Sequence, residues 1–118
     1  MSMPGLREVA FLRAPLAHAR IKSVTPPPGQ EANVLKAEDL DGLAPIRGYR
    51  MSEQPPLARG KIRFAGEPVA MCIGATRAEA EDLAEQVTLE LEELPAVSDM
   101  LQGREPEAPR LHEDWPDN

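Results

Sequence analysis

Residues 66–97, GEPVAMCIGATRAEAEDLAEQVTLELEELPAV, predict a strand, a helix and a second strand in direct succession. From residue 69 to residue 75 every side chain is apolar or small, which is typical of a strand buried on both faces. Bulky and small side chains alternate, so one face leaves room for a close neighbour. The bulky positions are Val69, Met71 and Ile73, and the small positions are Ala70, Cys72 and Gly74.

The helix has a start signal and an apolar stripe. Thr76 is placed as an N-cap with Glu79 three residues later, which predicts a capping box. The apolar positions recur at i, i+3, i+4 and i+7, namely Ala80, Leu83, Ala84 and Val87. The strand that follows alternates apolar and polar residues up to Pro95. Because a helix joins the two strands, we expect them to be parallel or close neighbours in a sheet, with a right-handed crossover.

The composition limits the class of protein. A chain of 118 residues is about one domain, and 3% aromatic residues predict an aliphatic core. The net charge of −7 disfavours nucleic acid and anionic membranes as partners. We expect no signal peptide, because the first residues lack an apolar segment, and no membrane span, because no run approaches the ~20 apolar residues that cross a bilayer. Cys72, the single cysteine, cannot form an internal disulfide and is expected to be buried, so we predict a reducing, cytoplasmic location.

The remaining segments predict further strands and loops. Residues 8–14 form a strand candidate that is expected to be covered on both faces, and residues 17–24 form a less regular one. TPPPG at residues 25–29 is a rigid turn. Residues 44–56 are expected to be a long irregular loop, and a short strand is expected over residues 61–64.

Chemistry-bearing residues are sparse. The only histidines, His18 and His112, lie at opposite ends of the chain, and the sequence contains no metal-ligand spacing. We expect His18 to be exposed or a cap. Glu67 precedes a buried strand, where it either binds backbone N–H groups of a turn, the favoured interpretation, or points toward an interface. A small enzyme that combines Glu67, Arg63 and His18 is the least favoured alternative.

Several runs, in order, resemble one family. FLRAPLAHARI at residues 11–21, VLKAEDL at residues 34–40 and the long run at residues 57–97 are similar to the N-terminal α/β hammerhead domain of the large, molybdenum-binding subunit of the xanthine dehydrogenase, aldehyde oxidase and carbon monoxide dehydrogenase family. LHEDWPDN at residues 111–118 is similar to the segment that leads into the next domain. Leu16 replaces a residue that is often His in the family, and the family's preceding N-terminal strand has no counterpart.

The resemblance implies an α+β fold. We expect an α/β hammerhead with a small mixed sheet, a central strand–helix–strand unit over about residues 69–93 and one main helix over about residues 76–87. The domain is expected at residues 1–101. Residues 102–118 are then a Pro-rich, acidic tail that leads toward an absent next domain and is mobile unless it docks.

The implied role is structural. The resemblance predicts an assembly domain of a molybdenum-dependent hydroxylase that is not catalytic alone. No catalytic, cofactor-binding or metal-binding residue can be assigned, because the family's molybdopterin, iron–sulfur and FAD sites belong to other domains or subunits. The partner is then the remaining molybdenum-binding domains. The alternative is a stand-alone interaction module, completed as a homo-oligomer. The candidate interface residues are Phe11, Arg13, His18, Arg20, Arg63, Phe64, Gly66, Glu67, Pro68, Leu111 and Trp115.

Overall fold

The structure, a computed structural model, describes residues 3–43, 46–47, 53–116 and 118, with the backbone alone at residues 46, 47 and 53. Its strands are β1 (Glu8–Arg13), β2 (Ala19–Thr25), β3 (Val34–Leu35), β4 (Ile46–Arg47), β5 (Glu53–Gln54), β6 (Lys61–Ile62), β7 (Pro68–Gly74) and β8 (Thr88–Glu93). The α-helix is α1 (Arg77–Gln86), and short 3₁₀ segments span Glu31–Asn33, Ala37–Leu40 and Gln102–Arg104. The predicted α+β architecture with one main helix is confirmed.

The strands form two three-stranded sheets and a small hairpin. The first sheet has the order β1-β7-β3, the second has the order β6-β2-β8, and β4 pairs with β5. Each of these pairings is antiparallel. The expectation that the strands on either side of α1 would be parallel or close neighbours is wrong, since β7 and β8 lie in different sheets. Both edges of β7 are occupied, by β1 and β3, so β8 pairs with β2 instead.

The helix begins and packs as its sequence predicts. The Thr76 hydroxyl accepts from the backbone N–H of Glu79 at 3.2 Å, and the Glu79 carboxylate accepts from the N–H groups of Ala75 and Thr76 at 2.9 and 3.3 Å. This is the predicted capping box. Ala80 and Leu83 are buried against the first sheet. Local sequence signals alone therefore fix this end of the helix.

The core consists of two aliphatic clusters. One lies at the second sheet and contains Ala19, Ile62 and Val69 among its members. The other lies between α1 and the first sheet and is built around Ala70, Cys72 and Leu83. Aromatic side chains do not occur among the buried core residues of the described segments, as the composition predicted.

The surroundings of Gly74 show why one face of β7 carries small residues. A Cβ added to Gly74 would lie 2.6 Å from the backbone nitrogen of Ala80 and 2.8 Å from the carbonyl oxygen of Thr76. These distances are far below van der Waals contact, so the first turn of α1 packs directly on the β7 backbone. The prediction that this face accepts a close neighbour is confirmed.

The prediction for residues 44–56 needs correction and falls partly outside the described residues. Within residues 44–56, which were expected to be irregular, β4 and β5 form a short antiparallel pair. Residues 44–45 and 48–52 of that segment lie outside the described residues. In the described part of the chain, no helix is long and apolar enough to cross a membrane.

Candidate functional site

The outer face of the first sheet is apolar and partly exposed. Phe11 of β1 lies opposite Met71 of β7, and Leu35 of β3 lies opposite the same Met71 from the other side of β7. Val9 of β1 lies opposite Ile73 of β7. These five residues are called the open face. The reverse side of the sheet packs against α1. Val9 and Phe11 remain 41% and 44% exposed, so the expectation that β1 is covered on both faces is wrong: the single helix covers only one.

The turn between β6 and β7 holds Glu67 in a structural role. Glu67 is only 3% exposed, and its carboxylate accepts from the backbone N–H of Arg63 at 2.6 Å. The Arg13 guanidinium donates to the carbonyl oxygen of Gly66 at 2.9 Å. Ala14 also exchanges backbone hydrogen bonds with this turn. The favoured interpretation of Glu67, a turn residue that binds a backbone N–H group, is confirmed.

His18 is buried rather than exposed, which corrects its predicted position. It is 5% exposed, and its Nδ1 lies 2.6 Å from the carbonyl oxygen of Pro95. A carbonyl oxygen only accepts, so Nδ1 carries the proton. The His18 carbonyl in turn accepts from the N–H of Leu94. His18 therefore joins the start of β2 to the chain beyond β8, a contact between segments far apart in sequence.

The C-terminal segment, meaning the described residues from Arg110 onward, packs against the rest of the chain. The rings of His112 and Trp115 stack with centroids 4.5 Å apart and planes inclined by 21°. The Lys61 ammonium donates to the Arg110 carbonyl oxygen at 2.7 Å, which connects the segment to β6. Leu111 and His18 line one small cavity of about 270 Å³. Trp115 keeps 36% of its surface exposed.

The predicted interface residues differ in solvent accessibility. His18 and Glu67 are buried and engaged inside the domain, so neither presents its side chain to a partner. The half-buried residues are Arg63, Gly66 and Pro68. The exposed residues are Phe11, Arg13, Arg20, Phe64, Leu111 and Trp115.

The described residues do not assemble a catalytic or metal centre. Arg63 and Glu67 come together through a backbone contact, whereas His18 binds Pro95 instead, so the three residues of the least favoured alternative do not form one site. No group of three or more His, Cys, Asp or Glu side chains within the described ranges could hold a metal ion. Cys72 is buried, and burial raises the pKa of its thiol. A thiol of this kind is a poor nucleophile.

Two features escaped the sequence reasoning. The open face depends on pairing β1, β7 and β3 side by side, which residue alternation alone does not specify. A cavity of about 520 Å³ lies between the second sheet and the C-terminal segment. Its basic residues Arg20, Lys61 and Arg63 come from two different strands and their flanks. The only sequence signal was the alternation of cations at residues 59, 61 and 63.

Comparison with known proteins shows the same architecture in larger enzymes. The carbon monoxide dehydrogenase large chain of Hydrogenophaga pseudoflava is 37% identical over 97% of this chain, which spans 15% of that protein. The quinoline 2-oxidoreductase structure from Pseudomonas putida 86 matches with a TM-score of 0.76 and 36% identity, covering 87% of this chain and 14% of that one. A Cu,Mo-CO dehydrogenase structure matches with a TM-score of 0.81 and 31% identity, covering 97% and 15%.

The family model described as "Aldehyde oxidase and xanthine dehydrogenase, a/b hammerhead domain" matches residues 1–95. These residues contain both sheets and α1, so the match covers the whole framework described above. The chain belongs to the family of aldehyde oxidase and xanthine dehydrogenase α/β hammerhead domains.

Proposed function

We propose that this chain is an assembly domain of the large subunit of a molybdenum-dependent hydroxylase and is not catalytic by itself. Support comes from the relatives, which are named as large chains or whole enzymes, and of which this chain spans about one seventh. One of the matching structures carries molybdenum in its name. The described residues offer no fit for a metal centre, and we derive no catalytic step from them.

The observation that carries the proposal is the open face. Val9 and Phe11 are exposed next to the half-buried side chains of Leu35, Met71 and Ile73, so five apolar residues form one contiguous surface. A contiguous apolar surface on a small domain is typical of a docking site. Because the chain spans a small share of its relatives, the occupant we assign to this face is the remaining, molybdenum-binding part of the large subunit.

The edge of the first sheet adds a second contact for the same partner. β1 pairs with β7 on one side, and within the described residues no strand pairs with its other side. A free strand edge presents unpaired N–H and C=O groups that another strand can use. The Arg13 guanidinium lies 5.7 Å from the Phe11 ring centre, at the border of the open face, where it can reach acceptors on the partner.

Co-purification tests the proposal. The coding sequence downstream of the Asn118 codon and the neighbouring genes supply the candidate large-subunit polypeptide, which is co-expressed with an affinity-tagged 118-residue chain. We expect the tagged chain to retain that polypeptide. Phe11→Ser should abolish retention, since it places a polar side chain within the apolar interface.

Leu101→Ser is the matched control, because Leu101 is an exposed apolar residue away from the open face. It should leave retention unchanged. The proposal fails if the wild-type chain does not retain the polypeptide and instead forms a discrete homodimer that Phe11→Ser dissociates. That outcome would identify a stand-alone interaction module.

A further inference from the structure

The cavity between the second sheet and the C-terminal segment concentrates positive charge in an acidic chain. Its volume is about 520 Å³, and Arg20, Arg59, Lys61 and Arg63 are among the residues that line it. These are four of the thirteen Lys and Arg residues in a chain whose net charge is −7. The stacked His112 and Trp115 rings line the same cavity, as do Glu113 and Asp114. This space is called the basic cavity.

Strand pairing explains why these cations converge. Arg20 of β2 lies directly opposite Lys61 of β6, so the two side chains project from the same face of the second sheet. The opposite face carries Ala19 and Ile62, which are buried in the core. Arg63 follows Lys61 by two residues and lines the same cavity. The backbone of the sheet therefore fixes the spacing of the cationic groups.

The carboxylates nearby leave this charge incompletely compensated. Arg59 is paired with Asp41. Arg20 pairs with Glu92, and Lys61 pairs with Glu113, each at 3.6 Å. The Glu113 side chain is 78% exposed, and such a long contact to an exposed carboxylate contributes little and is easily displaced. The Lys61 side chain itself is only 15% exposed.

The Arg63 guanidinium has no carboxylate partner among the described residues. Its Nη1 donates to the Lys61 carbonyl oxygen at 3.3 Å, but its Nε is buried and finds no hydrogen-bond partner among the described residues. No carboxylate of the described segments lies within 4.0 Å of its guanidinium nitrogens. The Nε itself is enclosed by protein atoms, so what Arg63 offers to a ligand in the cavity is the positive charge of its guanidinium rather than this N–H.

The pKa of His112, which also lines the cavity, agrees with this picture. The pKa of His112 is lowered, first by its partial burial and then by the charges of Arg63 and Lys61, against the opposing effects of Glu67 and Asp114. The imidazole thus senses a potential in which the two cations outweigh the two carboxylates. The basic cavity favours negative charge.

We propose that the basic cavity binds a small oxyanion, a phosphate or carboxylate group, held by Arg63 and Lys61 with Arg20 beside them. A planar guanidinium and an ammonium are the donors that proteins use for such groups. The oxyanion can be a free ion or part of a larger molecule. This site lies on the second sheet, whereas the open face lies on the first, so the two proposals stand or fall separately.

Trp115, the only tryptophan of the chain, serves as the reporter. Its fluorescence is titrated with sodium phosphate and, separately, with sodium acetate, at constant ionic strength set by sodium chloride. We expect a saturable change with at least one of the two anions and none with chloride alone; their order of affinity identifies the phosphate or the carboxylate as the preferred group. A linear, non-saturating response to both anions would overturn the proposal.

Variants separate a built site from general charge screening. Arg63→Gln and Lys61→Gln should each weaken binding by about tenfold, since each removes one charge-assisted hydrogen bond. Lys22→Gln is the control, because Lys22 is exposed on β2 and does not line the cavity; it should change the affinity by less than about twofold. Equal losses in all three variants would contradict a defined site. Circular dichroism checks folding, and if Arg63→Gln unfolds, the comparison of Lys61→Gln with Lys22→Gln decides.

Discussion

The carboxylate of Glu67 and the backbone N–H of Arg63 form a 2.6 Å hydrogen bond inside the turn that joins β6 to β7. The same turn is tied to the end of β1, since the Ala14 N–H donates to the Glu67 carbonyl oxygen at 2.9 Å and the Gly66 N–H donates to the Ala14 carbonyl oxygen at 2.8 Å. β6 belongs to the second sheet and β1 to the first. One buried carboxylate therefore stabilises the point at which the two sheets meet.

Replacing Glu67 should destabilise the domain, and the loss should be larger when the new side chain has no hydrogen-bond acceptor. Glu67→Ala leaves the Arg63 N–H unsatisfied in a partly buried turn, and we expect a loss of about 2 kcal/mol in the free energy of unfolding. Glu67→Gln keeps an acceptor oxygen and should lose about half as much. Urea unfolding followed by circular dichroism measures both. Equal losses for the two variants would show that the hydrogen bond is not the cause.

Gly74 is required for steric reasons and Gly66 for conformational ones. Gly74→Ala forces a Cβ against the backbone of α1 and should cost about 3 kcal/mol. Gly66 has φ +86° with open space around it, so Gly66→Ala should cost about 1 kcal/mol of backbone strain. Gly103→Ala, whose Cβ would meet only an ordinary 3.7 Å contact, should be nearly neutral. The thermal midpoints of the three variants test these expectations, since Gly74→Ala should have the lowest midpoint and Gly103→Ala the highest. A midpoint for Gly66→Ala below that of Gly74→Ala would contradict them.

Local signals account for the parts of the fold that the sequence predicted. The capping box joins residues three apart, and the apolar stripe of α1 repeats within a few turns, so both are visible in a short window. The division into two sheets is not visible there. It follows from β1 and β3 occupying both edges of β7, which depends on pairings between residues distant in the chain.

The same limit applies to the candidate sites. His18 was expected to be exposed or a cap, yet it is buried and its partner is Pro95, 77 residues away. The basic cavity likewise combines Arg20 with residues near position 61 and with the C-terminal segment. In contrast, the role of Glu67 was predictable, because its partner Arg63 lies four residues away in the same turn.

Cys72 should be chemically inert in the folded protein. It is fully buried in the core beneath α1, and desolvation raises the pKa of its thiol, so the reactive thiolate is scarce. We expect a thiol-reactive dye to label the native chain at least about a hundredfold more slowly than the urea-unfolded chain. Ser98→Cys in a Cys72→Ser background provides an exposed comparison. Labelling of native Cys72 at the rate of residue 98 would contradict this expectation.

His112 should make stability depend on pH in a defined direction. Its pKa in the folded chain lies below the ordinary value of 6.5, because partial burial and the charges of Arg63 and Lys61 disfavour the imidazolium. Between these two pKa values the unfolded chain binds more protons than the folded chain. The contribution of His112 to the free energy of unfolding is therefore at its maximum above pH 6.5. It decreases as the pH falls through 6.5 toward the pKa of His112 in the folded chain.

His112→Gln isolates this contribution from the carboxylates and from His18. The difference in unfolding free energy between wild type and His112→Gln should be constant above about pH 7.5 and should shift against the wild type as the pH falls to about 5.5. Urea unfolding at a series of pH values measures this difference, and imidazole NMR signals, assigned by their absence in the variant, give the folded pKa directly. A difference that stays constant over the whole range would mean that burial and the charges of Arg63 and Lys61 together do not lower the pKa of His112. Because the same two cations define the basic cavity, that result would also remove the electrostatic support for an oxyanion site.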